Sequence, residues 1–214
     1  MCERSHLESA IPMLKQTVPA RVFAVASLLF VSGVFAACTP NILLSPKTIV
    51  DRAIEARSAD DIADDNRVVI AVNGIMADLG TIKASTEIYE QRLLITGLFN
   101  DKALYDDFKA RVDALPGIAE LYWHVAFLSR EDQARRKDEL LDWGEALVLD
   151  GKVGLELIGS RGVADVNYRV AADAMSTIYL IGRARSREEF DKALSVARAV
   201  KGVKKVVNYV VIRP

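Results

Sequence analysis

The hydrophobic pattern of this chain occurs twice, and the two copies align without a gap when one is shifted by 85 residues. The shift superposes Gly97 on Gly182, and the stretch LPGI at 115–118 on VKGV at 200–203. Self-similarity at a fixed spacing indicates a repeated structural unit. We therefore predict two units that share one architecture.

Each copy predicts the same order of elements, αββαβ. Apolar residues four apart, such as Val153 and Leu157, indicate a helix with one buried stripe. Alternating residues then indicate a hairpin, with Ile178 and Leu180 on one sheet face and their neighbours on the other. In the first copy the predicted bounds are 65–76 for the first helix, 102–115 for the second helix and 119–127 for the last strand. In the second copy they are 150–159, 187–201 and 203–212.

Residues at the ends of the second helix support these bounds. Asp101 and Ser186 precede it and are predicted N-caps, because their side-chain oxygens can accept from free amides of the first turn. Gly117 and Gly202 lie just past its end, where a left-handed residue is favoured. We expect an α+β fold of two tandem αββαβ units, each with helices packed on one face of a three-stranded mixed sheet. The predicted core residues are Leu93, Ile95, Val112 and Leu115 in the first unit, and Ile178, Leu180, Val196 and Val200 in the second.

The repeated unit resembles the BON domain. The resemblance rests on DGKV at 150–153, IYLIG at 178–182 and VKGVKKVVN at 200–208, with weaker counterparts DNRV, LLITG and LPGIAE in the first copy. It implies a first BON domain at 65–128, a linker at 129–149 that is expected to be helical, and a second BON domain at 150–214.

The N-terminal region carries an apolar run from Val22 to Ala37 behind a basic flank. This run of 16 residues falls short of the ~20 that a bilayer-spanning helix needs, and it is typical of a secretory signal. The sequence FAAC at 35–38 resembles the lipobox of bacterial lipoproteins, which implies that Cys38 is acylated and serves as the lipid anchor. We expect a lipoprotein signal peptide at 1–37, starting at Met1 or Met13, and a tether and pre-domain segment at 38–64. The alternatives are cleavage after Ala37 without acylation, or an uncleaved anchor.

Two BON domains behind a lipobox resemble the dual BON-domain outer-membrane lipoproteins. That resemblance implies a protein anchored in the outer membrane and facing the periplasm, a location that Thr39 after the cysteine also favours. It further implies that one BON domain, expected to be the second, binds anionic phospholipid, and that the protein supports envelope integrity.

Charge is distributed unevenly between the copies, although the whole chain has a formal net charge of −1. Residues 48–128 contain 8 basic and 14 acidic residues, whereas residues 161–214 contain 11 basic and 5 acidic residues. Because basic residues are attracted to an anionic membrane, the second copy is the predicted binding site. The candidate phospholipid-binding residues are Val148, Lys152, Leu155, Arg183, Arg185, Arg187 and Lys192.

Val148 and Leu155 have two possible environments. They lie seven residues apart, on one face of the predicted helix, and Val148 replaces Ala63 of the first copy. Such an apolar edge is expected to enter the headgroup region of a membrane. The alternative is that these residues pack against the preceding segment, 131–143, which also has a helical pattern.

The sequence offers little for catalysis or metal binding. His6 and His124 are its histidines, Cys2 and Cys38 are its cysteines, and the patterns CxxC, HxxxH and GxSxG are missing. The acidic stretch at 59–65 lacks the spacing of a calcium-binding loop. We expect a binding protein that is not an enzyme and that has no catalytic residues, cofactor, metal site or nucleic-acid partner. The alternative function is that of a periplasmic adaptor for an outer-membrane assembly or division protein.

Overall fold

Two three-stranded sheets and five helices make up the part of the chain that the computed structural model describes, residues 55–80 and 83–214. Cys38 and the predicted signal peptide lie outside these residues. The helices are α1 (Ala59–Asp78), α2 (Lys102–Asp113), α3 (Arg130–Arg135), α4 (Trp143–Gly159) and α5 (Arg187–Ala199). The strands are β1 (Ala84–Tyr89), β2 (Arg92–Phe99), β3 (Glu120–Phe127), β4 (Tyr168–Ala172), β5 (Thr177–Ala184) and β6 (Lys205–Ile212).

Both sheets have the predicted mixed topology. In the first sheet, β2 pairs antiparallel with β1 and parallel with β3. The second sheet repeats this order, with β5 between β4 and β6. Strands β5 and β6 begin and end 85 residues after β2 and β3. The structure thus confirms an α+β fold with two three-stranded mixed sheets and helices.

The first helix of each copy begins earlier than the sequence pattern indicated. Helix α1 starts at Ala59 because Ser58 forms a capping box with Asp61, and α4 starts at Trp143 because Asp142 forms one with Glu145. The predicted starts at 65 and 150 are therefore wrong. The linker predicted at 129–149 is only partly helical. It contains α3, then a stretch of turns, and its last seven residues, 143–149, form the start of α4.

The second helix of each copy is capped as predicted, although it ends about two residues early. Asp101 accepts from the Leu104 amide (3.0 Å) and Ser186 from the Glu189 amide (3.2 Å). Gly117 and Gly202 both have a positive φ, of 83° and 104°. These turns return the chain to the edge of each sheet, where β3 and β6 begin.

Each sheet buries one face under its own helices. In the first copy the core includes Leu93, Ile95 and Val112, which are fully buried, with Leu115 partly buried at its edge. In the second copy Ile178 and Leu180 are fully buried, and Val196 and Val200 pack against them from α5 and the residue that follows it. The predicted core residues therefore occupy the two predicted cores.

A third core lies between the two sheets and was not predicted. Its buried members come from the sheet faces that point away from the helices: Tyr89, Leu94, Ala171, Tyr179 and Ile181. Both faces of each sheet are consequently buried, and the described residues belong to one compact unit. The expectation that each copy folds around its own core is thus incomplete, because the copies also share one.

Polar contacts cross the same junction. Arg92 donates to the carbonyl oxygens of Tyr209 (2.7 Å) and Gly182 (3.0 Å). The centre of the His124 ring lies 4.2 Å from the centre of the Tyr179 ring, and its Nε2 is 2.7 Å from the Tyr209 hydroxyl. Burial lowers the pKa of His124, so the ring stays neutral at neutral pH. These bonds align one sheet on the other and add to the apolar contact.

Candidate functional site

Helix α4 carries the three helical candidates, Val148, Lys152 and Leu155. Its inner face packs on the second sheet through Ala146, Leu149, Val153 and Leu157, all of which are buried. These residues recur at spacings of three and four, which places them on one stripe. The stripe fixes the orientation of the helix and therefore determines which side chains point to solvent.

The outer face of α4 is also apolar. Four large side chains are exposed there: Leu147 (44%), Val148 (57%), Leu155 (69%) and Ile158 (48%). At 3.6 residues per turn they span about 100° of the helix circumference. Gly151 lies among them, and nothing stands within 4 Å of the position that a Cβ would occupy there. We call these four residues the apolar outer face. It excludes the alternative in which Val148 and Leu155 are buried against the preceding segment.

Lysines flank the apolar outer face where α4 meets α5. Two adjoining clefts follow the line between these helices and share Lys152 in their lining. Val148 and Lys201 line the first cleft, and Leu155 lines the second. Within the described part of the chain, neither Lys152 nor Lys201 pairs with a carboxylate, so both charges remain available for an anionic group.

The three candidate arginines lie at the other end of the helix pair. Helices α4 and α5 run in opposite directions: Lys201, just past α5, lies beside the N-terminal part of α4, whereas Glu189 of the first turn of α5 accepts from the Ala164 amide beyond the end of α4. Helix α4 has 17 residues and is therefore about 25 Å long. The structure thus brings Val148, Lys152 and Leu155 together but does not place the arginines beside Val148.

Each candidate arginine has a carboxylate nearby. Arg183 lies 3.9 Å from Glu90 of the first copy, Arg185 lies 3.1 Å from Glu189, and Arg187 lies 3.9 Å from Asp191. Arg183 also donates to the carbonyl oxygens of Arg213 (3.1 Å) and Pro214 (2.7 Å). Their positive charge is therefore partly neutralised inside the protein.

Lys192 occupies the second turn of α5. Its ammonium donates to the carbonyl oxygen of Arg161, in the turn that follows α4. The lysine is exposed, and this bond holds its head over the end of α4. Lys192 is not among the residues that line the two clefts.

Leu147, Ile158 and Lys201 belong to the site but are absent from the sequence-based candidates. The signal for the first two was the spacing 147, 151, 155, 158, which repeats every three or four residues. Lys201 had no such signal, because only the antiparallel packing of α5 on α4 brings it to Val148.

Equivalent aspartates on the first helices have different environments. Asp65 of α1 is buried, pairs with Arg57 (2.8 Å) and accepts from the amides of Glu90 (3.0 Å) and Gln91 (2.7 Å). Asp150 of α4, 85 residues later, has no such arginine partner in the described chain, and burial raises its pKa to about 6. In the second copy the hairpin-turn amides of Met175 and Thr177 bond to Asp173 instead.

Metal-binding clusters and membrane-spanning helices are both absent from the described residues. Within residues 55–80 and 83–214, no three His, Cys, Asp or Glu side chains are grouped so that they could hold a metal ion. Over the same residues, none of the helices combines the length and the apolar character needed to cross a bilayer.

Comparison with known proteins finds a BON domain at residues 148–214. An uncharacterized protein from the gshII 5′ region of Anaplasma centrale is 25% identical over 150 residues, which cover 69% of this chain and 93% of that protein. Among solved structures, CdsD, a structural protein of the type III secretion system of Chlamydia trachomatis, is 12% identical with a TM-score of 0.29 and covers 69% of this chain and 93% of its own. A structure of the CdsD C-terminal domain gives 12% identity and a TM-score of 0.28, covering 69% of this chain and 98% of that domain.

Proposed function

We propose that this protein is a lipid-anchored, periplasm-facing protein of the outer membrane that binds anionic phospholipid and supports envelope integrity. In this proposal both αββαβ units are BON domains, Cys38 carries the anchor, and the second domain contacts lipid. The protein acts by binding and not by catalysis. The BON domain found at 148–214 supports the proposal, since it includes most of α4 and all of α5.

The observation that carries the proposal is the apolar outer face beside Lys152 and Lys201, which have no carboxylate partner in the described chain. Exposed Leu, Val and Ile side chains on one helix face are costly in water, and burying each CH₂ gains about 0.8 kcal/mol. A helix of this kind lies in the plane of a membrane interface with its apolar side inserted by roughly 5–10 Å. The two lysines then lie at headgroup level, where each contributes about 1 kcal/mol toward an anionic surface.

The arginine group has a secondary part in this proposal. Arg187 is the most exposed of the three, with 66% of its side chain accessible, whereas Arg183 has 20%. Because Glu90, Glu189 and Asp191 already offset their charge, we expect the arginines to steer the protein toward the membrane and the clefts to hold the lipid. This order reverses the emphasis that the charge pattern alone suggested.

The test is vesicle flotation of residues 46–214, a fragment that keeps all three cores. Separate halves are unsuitable because each would expose the shared core, including Leu94 or Tyr179. We expect the fragment to float with vesicles of phosphatidylglycerol and phosphatidylcholine, less so at high salt, and not with phosphatidylcholine alone. Leu155→Asp should remove binding.

Ile70 provides a matched control. It is the counterpart of Leu155 on α1 and is equally exposed, at 69%. Ile70→Asp introduces the same charge on the same fold and should leave flotation unchanged. Equal loss in both variants would contradict the assignment to α4, and failure of the unmodified fragment to bind any vesicle would favour the protein-binding adaptor.

The anchor needs a separate experiment in cells. Cys38→Ala should abolish metabolic labelling with palmitate and release the protein from the membrane fraction. If the variant remains fully membrane-bound, the apolar run from Val22 to Ala37 is an uncleaved anchor.

A further inference from the structure

A cavity of about 230 Å³ lies where the first copy meets the start of α4. Gly97 and Leu98 of β2 form one side, and the first turn of α4, with Trp143 and Ala146, forms the opposite side. The turn after β4, including Ala174, closes the base. We call this space the junction cavity. It contains no residue of the apolar outer face, and it adjoins the first cleft beside α5, with which it shares Leu141 and Asp142.

The junction cavity is open because the second copy lacks two large side chains that the first copy has. In the first copy the Arg57 guanidinium lies 4.4 Å from the ring centre of Tyr89, whose hydroxyl donates to Asn167 (3.1 Å). The residues 85 positions later are Asp142 and Ala174, and both line the cavity. At one junction between the copies the protein fills the space itself, and at the other it leaves room for a ligand.

The walls of the cavity are mainly apolar. They are formed by Leu98, Leu140, Leu141, Trp143, Ala146, Ala172 and Ala174. A volume of about 230 Å³ is that of roughly eight water molecules, and it is below the range of about 300–1,000 Å³ that is typical for drug-sized ligands. The space therefore suits a short apolar tail or a single ring.

The charged groups at the rim favour an anionic head on that tail. The two aspartates in the lining already have donors: Asp142 accepts from the Glu145 amide (2.8 Å), and Asp173 from two amides and the Tyr179 hydroxyl. Lys83 and Lys137 also line the rim. Lys137 is exposed and has no carboxylate partner among the described residues, so its three donors are available to a carboxylate.

We infer that the junction cavity binds a small amphiphilic carboxylate, with its tail against Trp143 and its head at Lys137. This ligand site goes beyond the proposed membrane contact and does not depend on it. Since Trp143 and Ala146 begin α4, a ligand there packs against the same helix that presents the apolar outer face.

The test is titration of residues 46–214 with octanoate while following Trp143 fluorescence. A Trp123→Phe background leaves Trp143 as the single tryptophan. We expect saturable binding that shifts the emission, weaker binding of octanol, and no binding of octylamine. No saturable change up to millimolar octanoate, or equal binding of octylamine, would overturn the inference.

Two variants locate the ligand. Ala174→Leu should fill the cavity and abolish the octanoate response, and Lys137→Gln, on an exposed residue that the fold does not need, should weaken binding about tenfold. The control is Lys152→Gln, which removes a lysine outside the cavity and should leave octanoate affinity unchanged. If Ala174→Leu keeps its fold by circular dichroism and binds octanoate normally, the ligand is not in this cavity. Vesicle flotation of Lys137→Gln should be normal, so failure of this inference and failure of the proposed function give different results.

Discussion

The first helices of the two copies, α1 and α4, bury matching inner faces and expose different outer faces. Val68 and Val72 of α1 and their counterparts Val153 and Leu157 of α4 are all buried in the same way. On the outside, Leu155 matches the exposed Ile70. Leu147 also has an apolar counterpart, Ile62. Four other outer positions differ: Val148 corresponds to Ala63, Gly151 to Asn66, Lys152 to Arg67 and Ile158 to Asn73.

The comparison separates what the fold requires from what a function can use. The inner face is constrained because it packs on a sheet, and both copies keep it apolar. The outer face is exposed to solvent, so the fold alone does not explain the two larger apolar residues that α4 has in place of Ala63 and Asn73, namely Val148 and Ile158. Arg67 and Lys152 occupy equivalent positions and are both basic, but their charges are not equally available. Arg67 pairs with Asp64, whereas Lys152 has no carboxylate partner in the described chain.

The largest expected effect comes from breaking the buried ion pair that α1 has and α4 lacks. Asp65→Asn removes one of the two carboxylates that pair with the buried Arg57 guanidinium, leaving Glu55 (3.1 Å), and weakens the bonds to the turn at Glu90 and Gln91. Removing one partner of a buried pair costs about 3–5 kcal/mol, and because Glu55 remains we place the cost at the lower end, about 3 kcal/mol. We expect a loss of that size in the free energy of unfolding, measured by urea denaturation. A loss below about 1 kcal/mol would show that the pair is not buried in solution.

The next largest effect is on lipid binding and comes from giving α4 the outer face of α1. The triple change Val148→Ala, Gly151→Asn and Ile158→Asn should weaken vesicle binding a hundredfold or more, because it removes about five apolar carbons and each one lost from the membrane costs about 0.8 kcal/mol. Stability should change little, since all three positions are exposed.

The reciprocal change Ala63→Val, Asn66→Gly and Asn73→Ile on α1 is the control for this swap. It should create measurable vesicle binding in a fragment whose α4 already carries the triple change. If the α4 swap leaves flotation intact, the outer face is not the membrane contact.

A smaller effect should distinguish the two basic residues that occupy equivalent positions. Lys152→Glu should reduce affinity for phosphatidylglycerol vesicles by roughly thirtyfold at low salt, since two charge units of about 1 kcal/mol each act within the screening length. Arg67→Glu should have no effect on binding. The difference should shrink at high salt, and flotation across a salt series measures it.

The smallest expected effect is on the pH dependence of stability and comes from Asp150, the counterpart of Asp65. Burial raises the pKa of Asp150 to about 6, from an ordinary value of 3.8. The folded protein therefore binds the proton more tightly than the unfolded chain, and stability is lost as pH rises from about 4 through 6. Asp150→Asn should remove this loss, with a gain at pH 8 of under about 1 kcal/mol and none at pH 3. A stability gain that is the same at pH 3 and pH 8 would assign the effect to packing and not to charge.

Local signals explain what was predictable from the sequence. The strands that contain Gly97 and Gly182, and the caps Asp101 and Ser186, each depend on neighbours within a few residues, so the pattern reveals them. The starts of α1 and α4 were missed because the capping boxes at Ser58 and Asp142 lie outside the apolar stripe. These errors are local and leave the order of the elements intact.

Contacts between distant segments explain what was not predictable. Tyr179 and Ile181 alternate with Ile178 and Leu180, which predicts a second sheet face but not what covers that face. Only the structure shows that the other sheet covers it. Two further contacts could not be predicted for the same reason, because each joins residues far apart in the chain: Arg183 with Glu90, and Lys201 with Val148.

The contact between His124 and Tyr209 has a consequence for how such a chain could arise. The two residues are 85 positions apart, so each is the counterpart of the other, and yet their side chains touch across the sheet junction. An interface at which a position meets its own counterpart has the geometry of a two-fold symmetric dimer. A single-unit ancestor with this surface would have paired with a second copy of itself. Duplication and fusion would then have turned an association that depends on concentration into a permanent one, and freed the two halves to diverge on their outer helices.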